Sequence, residues 1–185
     1  MNQRIRDRHS PERIRRLSRI LAACCLIFIT LLPIAVMVYW LLADTADLAA
    51  NANLAPTAIQ ENFSMWQRIL AGLLSEIPLL MFVAGLWQVR RCFMQFSIGR
   101  FFSTTVVLGF SRFAGWTMAS VIASVVTASL VSVVITIQNP AGSRMFTLSF
   151  GSDQVLLLFF AGMVWVMASI VHQGQMLAQE NASFV

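Results

Sequence analysis

This 185-residue chain contains no lysine; all thirteen of its basic side chains are arginine. Acids number only eight, and charged residues of both signs make up 11% of the chain, against about 25% in a soluble domain. So little charge, with 58% apolar residues and a mean hydropathy of +0.74, excludes an ordinary water-facing surface and makes lipid the expected solvent. Cysteine is scarce as well. Cys24, Cys25 and Cys92 form no CxxC pair and are odd in number, so no disulfide framework is implied. With histidine only at His9 and His172, no His/Cys/Asp/Glu cluster has metal-ligand spacing. A glycine-rich phosphate loop and a Ser-His-Asp or Cys-His arrangement are also missing. Neither an enzyme nor a cofactor- or metal-binding protein is expected.

What the chain has in abundance is apolar runs. Four of them, residues 20–42, 69–89, 113–137 and 155–171, carry a single charge between them, Glu76. A bilayer core about 30 Å thick is crossed by roughly 20 helical residues, so each run predicts one transmembrane helix. The runs lack the period-two alternation of barrel strands, and helices are the other way to satisfy every backbone group in lipid. The expected fold is all-α: a four-helix transmembrane bundle, with residues 1–19 as a basic cytosolic tail and residues 20–185 as a single four-span membrane domain. Ser10-Pro11-Glu12 is a helix start signal. Beyond it, Ile14, Leu17 and Leu21 recur beneath Arg13, Arg16 and Arg19 as an amphipathic turn suited to anionic lipid headgroups. The first run is too long for a signal peptide, and no small-x-small site closes it before Asp44, so an uncleaved anchor is expected.

Arginine placement sets the expected orientation. Seven arginines precede residue 20, and residues 90–112 hold four (Arg90, Arg91, Arg100, Arg112) with no acid. The other two connections hold one each, Arg68 and Arg144, with Asp44, Asp47 and Glu61 in the first. Basic and non-basic segments therefore alternate, as four spans with both termini in the cytosol require. Tyr39, Trp40 and Trp66 are the expected aromatic anchors of the outer interface, and Trp87 and Trp116 those of the inner one.

The segment RRCFMQFSIGRFFS, residues 90–103, interleaves Arg90, Arg91 and Arg100 with Phe93, Phe96, Phe101 and Phe102. Three readings compete. Rings and guanidinium groups suit an amphipathic cytosolic loop helix lying in the interface between spans two and three. They also suit a protein-docking surface, and in principle stacking on single-stranded bases, although direct nucleic-acid binding is not expected in so apolar a chain. Gly99 is expected to break the segment, and Ser103-Thr104-Thr105 to cap a helix through Val106, Val107 and Phe110.

Within this stretch a resemblance emerges. Phe93, Phe96, Gly99, Phe102 and Ser103, followed by a short apolar helix and Arg112-Phe113-x-Gly115, resemble the central signature of a bacterial family termed domain of unknown function 2975. The C-terminal Gly174, Leu177, Glu180, Asn181 and Val185 are similar to that family's usual ending. Thr104 and Phe184 depart from the family pattern. The resemblance covers residues 65–185 and implies a small four-span bacterial inner-membrane protein, often encoded beside a helix-turn-helix regulator. It implies no activity, substrate or cofactor.

Two features inside the spans stand out. Glu76 lies about 10 Å inside span two at 1.5 Å per residue, and Pro78 follows it. A buried ionisable group in lipid is a functional candidate. The contrasting reading is a protonated or water-exposed carboxyl, with Ser129 and Ser132 as candidate partners. Ser120, Ser124, Ala128 and Ser132 repeat every fourth position on span three, a small-residue face for internal packing or for a homodimer. Two functions follow as expectations. The first is an interaction or regulatory protein that holds a cytosolic partner, such as a helix-turn-helix regulator, on residues 90–112 and 173–185. The alternative is a small proton- or cation-coupled transporter that uses Glu76.

Overall fold

The computed structural model describes residues 3–45, 47–48, 63–99, 103–138 and 151–183. Within these, the side chains of residues 3–11, 175 and 177–183 lie outside the description. The chain is an all-α four-helix bundle with no strand among the described residues. Its helices are α1 (Gln3–Leu42), α2 (Met65–Ser97), α3 (Thr104–Thr136) and α4 (Ser152–Ser183). Each is long and apolar enough to cross a membrane. The 33 residues of α2 and of α3 measure about 50 Å at 1.5 Å per residue, so each exceeds a hydrocarbon core of about 30 Å. The flexible stretch expected at 51–56, the turn expected at 139–142 and the short extended piece expected at 146–150 lie outside the described residues.

Several boundaries differ from the sequence-based expectation. α1 begins at Gln3 and runs through Ser10-Pro11, because arginine is a good helix former and one missing N–H does not end a helix that continues on both sides. α2 begins at Met65, four residues before the run that starts at residue 69. Ser64 caps it: Gln67 Oε1 accepts from the Ser64 backbone N–H (2.9 Å) and from its hydroxyl (3.0 Å). Ser64-x-x-Gln67 is thus a capping box in which the N3 side chain reaches back to the cap. The amphipathic segment between spans two and three is not a separate helix. Its first half is the end of α2, and α3 opens five residues beyond Gly99, at Thr104. Gly99 sits at φ +85°, a left-handed conformation that glycine adopts without strain, and its N–H closes on the Phe96 carbonyl at 3.0 Å.

The helices fall into two compact units, residues 1–29, 83–117 and 159–185 in the first and residues 30–82 and 118–158 in the second. In the second unit, α2 and α3 run antiparallel, with Gln67 against Val134 and Ile135 and Pro78 against Ser120. Trp40 is 7% exposed and packs with Leu48, Ala71, Val131 and Ile135. It is a core residue, and the expected interfacial role is left to the exposed Tyr39 and Trp66. Gly72 brings α2 close to α1: a Cβ there would lie 3.2 Å from Met37 Sδ and 3.3 Å from Trp40 Cβ. In the first unit, Gly109 of α3 lies against the Cys92 Sγ of α2, and the Cys92 thiol donates to the Val106 carbonyl at 3.5 Å. Missing side chains at these glycines let two backbones approach closely, as small residues do between membrane helices. α3 is the most buried of the four, with 39% of its apolar window covered against 11–17% for the others.

Candidate functional site

The first unit gathers guanidinium groups. Among described side chains it holds Arg13, Arg15, Arg16, Arg19, Arg90, Arg91 and Arg112, with Glu12 as the one carboxylate. The described side chains of the second unit show the reverse: Asp44, Asp47, Glu76 and Asp153 against Arg68 alone. Arg13, Arg15, Arg16 and Arg19 line a shallow polar groove on α1 with Glu12. The Arg15 guanidinium lies against Gly99: Nη2 is 2.7 Å from where a Cβ on that residue would stand. That position is the C-terminal end of α2, where unpaired carbonyls favour a cation. Arg90 lies over the Trp87 ring, 5.1 Å from its centroid, and its Nε is buried without a hydrogen-bond partner. Arg91 and Arg112 flank a second groove of about 330 Å³ with Gln88, Thr104, Thr105, Leu108 and Gly109.

Phe93 and Phe96, the described phenylalanines of the motif, are half-buried and pack on other rings of the unit. Phe93 and Phe96 meet edge to face at 6.3 Å, and Phe96 stacks on Phe110 of α3, also at 6.3 Å. They join α2 to α3, and the exposed apolar residues on that end of α2 are Met94 and Ile98. Ser103 stands at the start of α3, where its carbonyl accepts from the N–H groups of Val106 (2.9 Å) and Val107 (3.3 Å). Its hydroxyl is buried and unpartnered, so the expected side-chain cap from Ser103 is not made. Gly174 is exposed, with nothing within 4 Å of the position that a Cβ would take. Phe102 and the side chains of Leu177, Glu180 and Asn181 lie outside the described residues, and with them the expected contact of Glu180 with the basic segment. Beside these residues, Val106, Val107 and Phe110 of α3 and Val164, Met167 and Val171 of α4 border an apolar cleft of about 320 Å³.

In the second unit, Glu76 is 9% exposed, and its Oε1 has no hydrogen-bond partner. The hydroxyls expected to meet it are engaged elsewhere: Ser129 donates to the Val125 carbonyl (3.1 Å) and Ser132 to that of Ser129 (2.8 Å). Both stand too far along α3. Pro78 is level with Ser120, which places Glu76 level with the turn just after Ser120. The small-residue face is covered within the chain, with Ser120 and Ser132 buried and Ser124 and Ala128 half-buried. Ser124, Thr127 and Thr136 bond to carbonyls of their own helix, while Ser120 donates across to α2.

Sequence reasoning missed the residues that tie helix ends together. Gln67 Nε2 donates to the carbonyls of Val134 (3.0 Å) and Ile135 (3.2 Å), the last turn of α3. Arg68 Nη1 donates to the carbonyls of Ala43 (2.7 Å) and Leu41 (3.4 Å), at the end of α1. These carbonyls are the acceptors a helix leaves unpaired at its C-terminus. The Ser64-x-x-Gln67 spacing was a readable signal for the capping half of this arrangement. Among the described residues, no group of three or more His, Cys, Asp or Glu could hold a metal ion. Comparison with protein-family models, with curated proteins and with solved structures finds no match.

Proposed function

We propose that this chain is a multi-pass protein of the bacterial inner membrane, a member of the domain of unknown function 2975 family, that holds a soluble partner on its cytosolic side. The observation that carries the reading is the segregation of charge. Seven described guanidinium groups lie in the first unit, and four of the five described carboxylates lie in the second. Arginine-rich segments stay on the cytosolic side of a membrane, so the first unit is the cytosolic one and both termini lie with it. Arg13, Arg16 and Arg19 then meet anionic headgroups. Arg91 and Arg112, on the groove at the start of α3, present two exposed cations to a partner that carries carboxylates. The family resemblance makes a helix-turn-helix regulator the first partner to try. Residues 173–185 are proposed as the second part of that surface, on the strength of the family resemblance.

Two measurements test this. Reporter fusions at Arg100 and at Ser183 are expected to report the cytosol, and a fusion at Asp47 the opposite side. Copurification of the neighbouring regulator in detergent is expected to be lost on Arg91→Glu with Arg112→Glu and weakened by Phe102→Ala or Glu180→Gln. Failure to recover any regulator with the unmodified chain overturns the docking role.

A further inference from the structure

One carboxyl has no part in the docking reading, and its surroundings assign it a ligand of its own. Glu76 is more than nine-tenths buried, and Oε1 has no hydrogen-bond partner. An ionised carboxylate in such a place requires a cation beside it; otherwise a proton neutralises it. The stretches that make up the second unit supply no such cation among their described residues. Residues 118–136 of α3 contain no ionisable side chain. Residues 30–42 of α1 contain only Tyr39, which is exposed, and the chain just beyond them adds the exposed acids Asp44 and Asp47. The opening turns of α4 in this unit contain only Asp153, also exposed. Arg68 is the one cation among the described residues of the unit, and its guanidinium is committed to the carbonyls of Ala43 and Leu41.

The backbone next to Glu76 is also built for access. Pro78 has no N–H, so the carbonyl of Leu74 loses its usual donor one turn on. The carbonyl of Pro78 itself takes the Ser120 hydroxyl at 2.7 Å. A helix loosened in this way admits water or a shift more readily than a regular turn. We propose that Glu76 is an intramembrane proton-binding site, carried as the neutral acid inside the second unit and exchanging its proton with water beside Pro78. Release leaves a carboxylate on Glu76 and a proton on water; no second side chain among the described residues of the unit takes part. This is the site a small proton-coupled carrier would use, and it stands or falls independently of the docking reading.

The test uses the full chain in liposomes and dicyclohexylcarbodiimide, an apolar reagent that adds only to protonated carboxyls, with the modified residue read by peptide mass spectrometry. Glu76 is expected to be labelled, Glu76→Gln to lose that label, and Glu76→Asp to keep it. The labelling rate should fall about tenfold per pH unit once the carboxyl ionises. Infrared spectra of the unmodified chain should lose a protonated-carboxyl band over the same pH range, which keeps the test open if the variants do not fold. Absence of label at every pH overturns the proposal, as does a rate indifferent to pH. Protection by sodium at fixed pH also overturns it, and assigns the site to a metal cation.

Discussion

The Ser120 hydroxyl donates to the Pro78 carbonyl at 2.7 Å, and so fixes α3 to α2 where proline interrupts the α2 hydrogen-bond ladder. Its neighbour on the same face, Ser124, bonds instead to the Val121 carbonyl of its own helix. Interhelical hydrogen bonds in membranes average about 0.6 kcal/mol and reach about 1.7. Ser120→Ala should therefore lower unfolding stability in detergent by about 1 kcal/mol, and Ser124→Ala by close to nothing. Ser124→Leu overfills a half-buried site and is expected to cost about 1–3 kcal/mol. Light scattering of the same variant checks association: because this face is covered by the chain itself, the fold should suffer before any oligomer does.

Gln67 serves two helices through one carboxamide. Gln67→Leu removes the acceptor of the Ser64 capping box and the donor to Val134 and Ile135 together, and should cost about 2–3 kcal/mol. Gln67→Glu keeps the acceptor but sets a negative charge against the carbonyl end of α3, so it should recover little of the loss. Thermal unfolding in detergent separates the two variants.

A methyl on Gly109 would collide with Cys92 Sγ. Gly109→Ala is expected to destabilise by about 1–3 kcal/mol, and Cys92→Ala to relieve much of that in the double variant. Additive losses in the cycle would show that the two residues do not meet.

Gly99 and Gly174 both belong to the motif pattern, yet they should respond differently. Gly99→Ala forces a side chain into a left-handed conformation against the Arg15 guanidinium and should cost about 1–2 kcal/mol. Gly174→Ala meets nothing within 4 Å on a helix and should be neutral or stabilising by up to about 1 kcal/mol. Loss of partner recovery with Gly174→Ala at undiminished stability would locate the docking surface on α4.

The four helices were legible because long uncharged runs leave few alternatives in lipid, and the break at Gly99 because glycine alone relaxes in that conformation. Which way a side chain turns was harder to read. Phe93 and Phe96 alternate with arginine as an interfacial helix would have them, but Phe110 of α3 offers a stacking partner that no local pattern reveals. Trp40 stands where a belt residue would and is instead enclosed by Leu48, Ala71, Val131 and Ile135, three of them distant in sequence. The burial of Glu76 follows from the register of α2 on α3, which places Ser120, rather than Ser129 or Ser132, near its level. Register between helices is fixed by close glycine contacts such as Gly72 with Trp40 and by long side chains such as Gln67, and neither leaves a periodic trace.

The pair Gln67 and Arg68 gives the chain an order of assembly. α1 leaves the ribosome before α2, so Arg68 has its acceptors at Leu41 and Ala43 as soon as the second helix enters the bilayer. The neighbouring carboxamide must wait for the final turn of α3, more than sixty residues later in synthesis, before Val134 and Ile135 can receive it. Two consecutive residues thus act as an early latch and a late one, and a chain truncated before Val134 would hold its first two helices together while leaving the third fastening open.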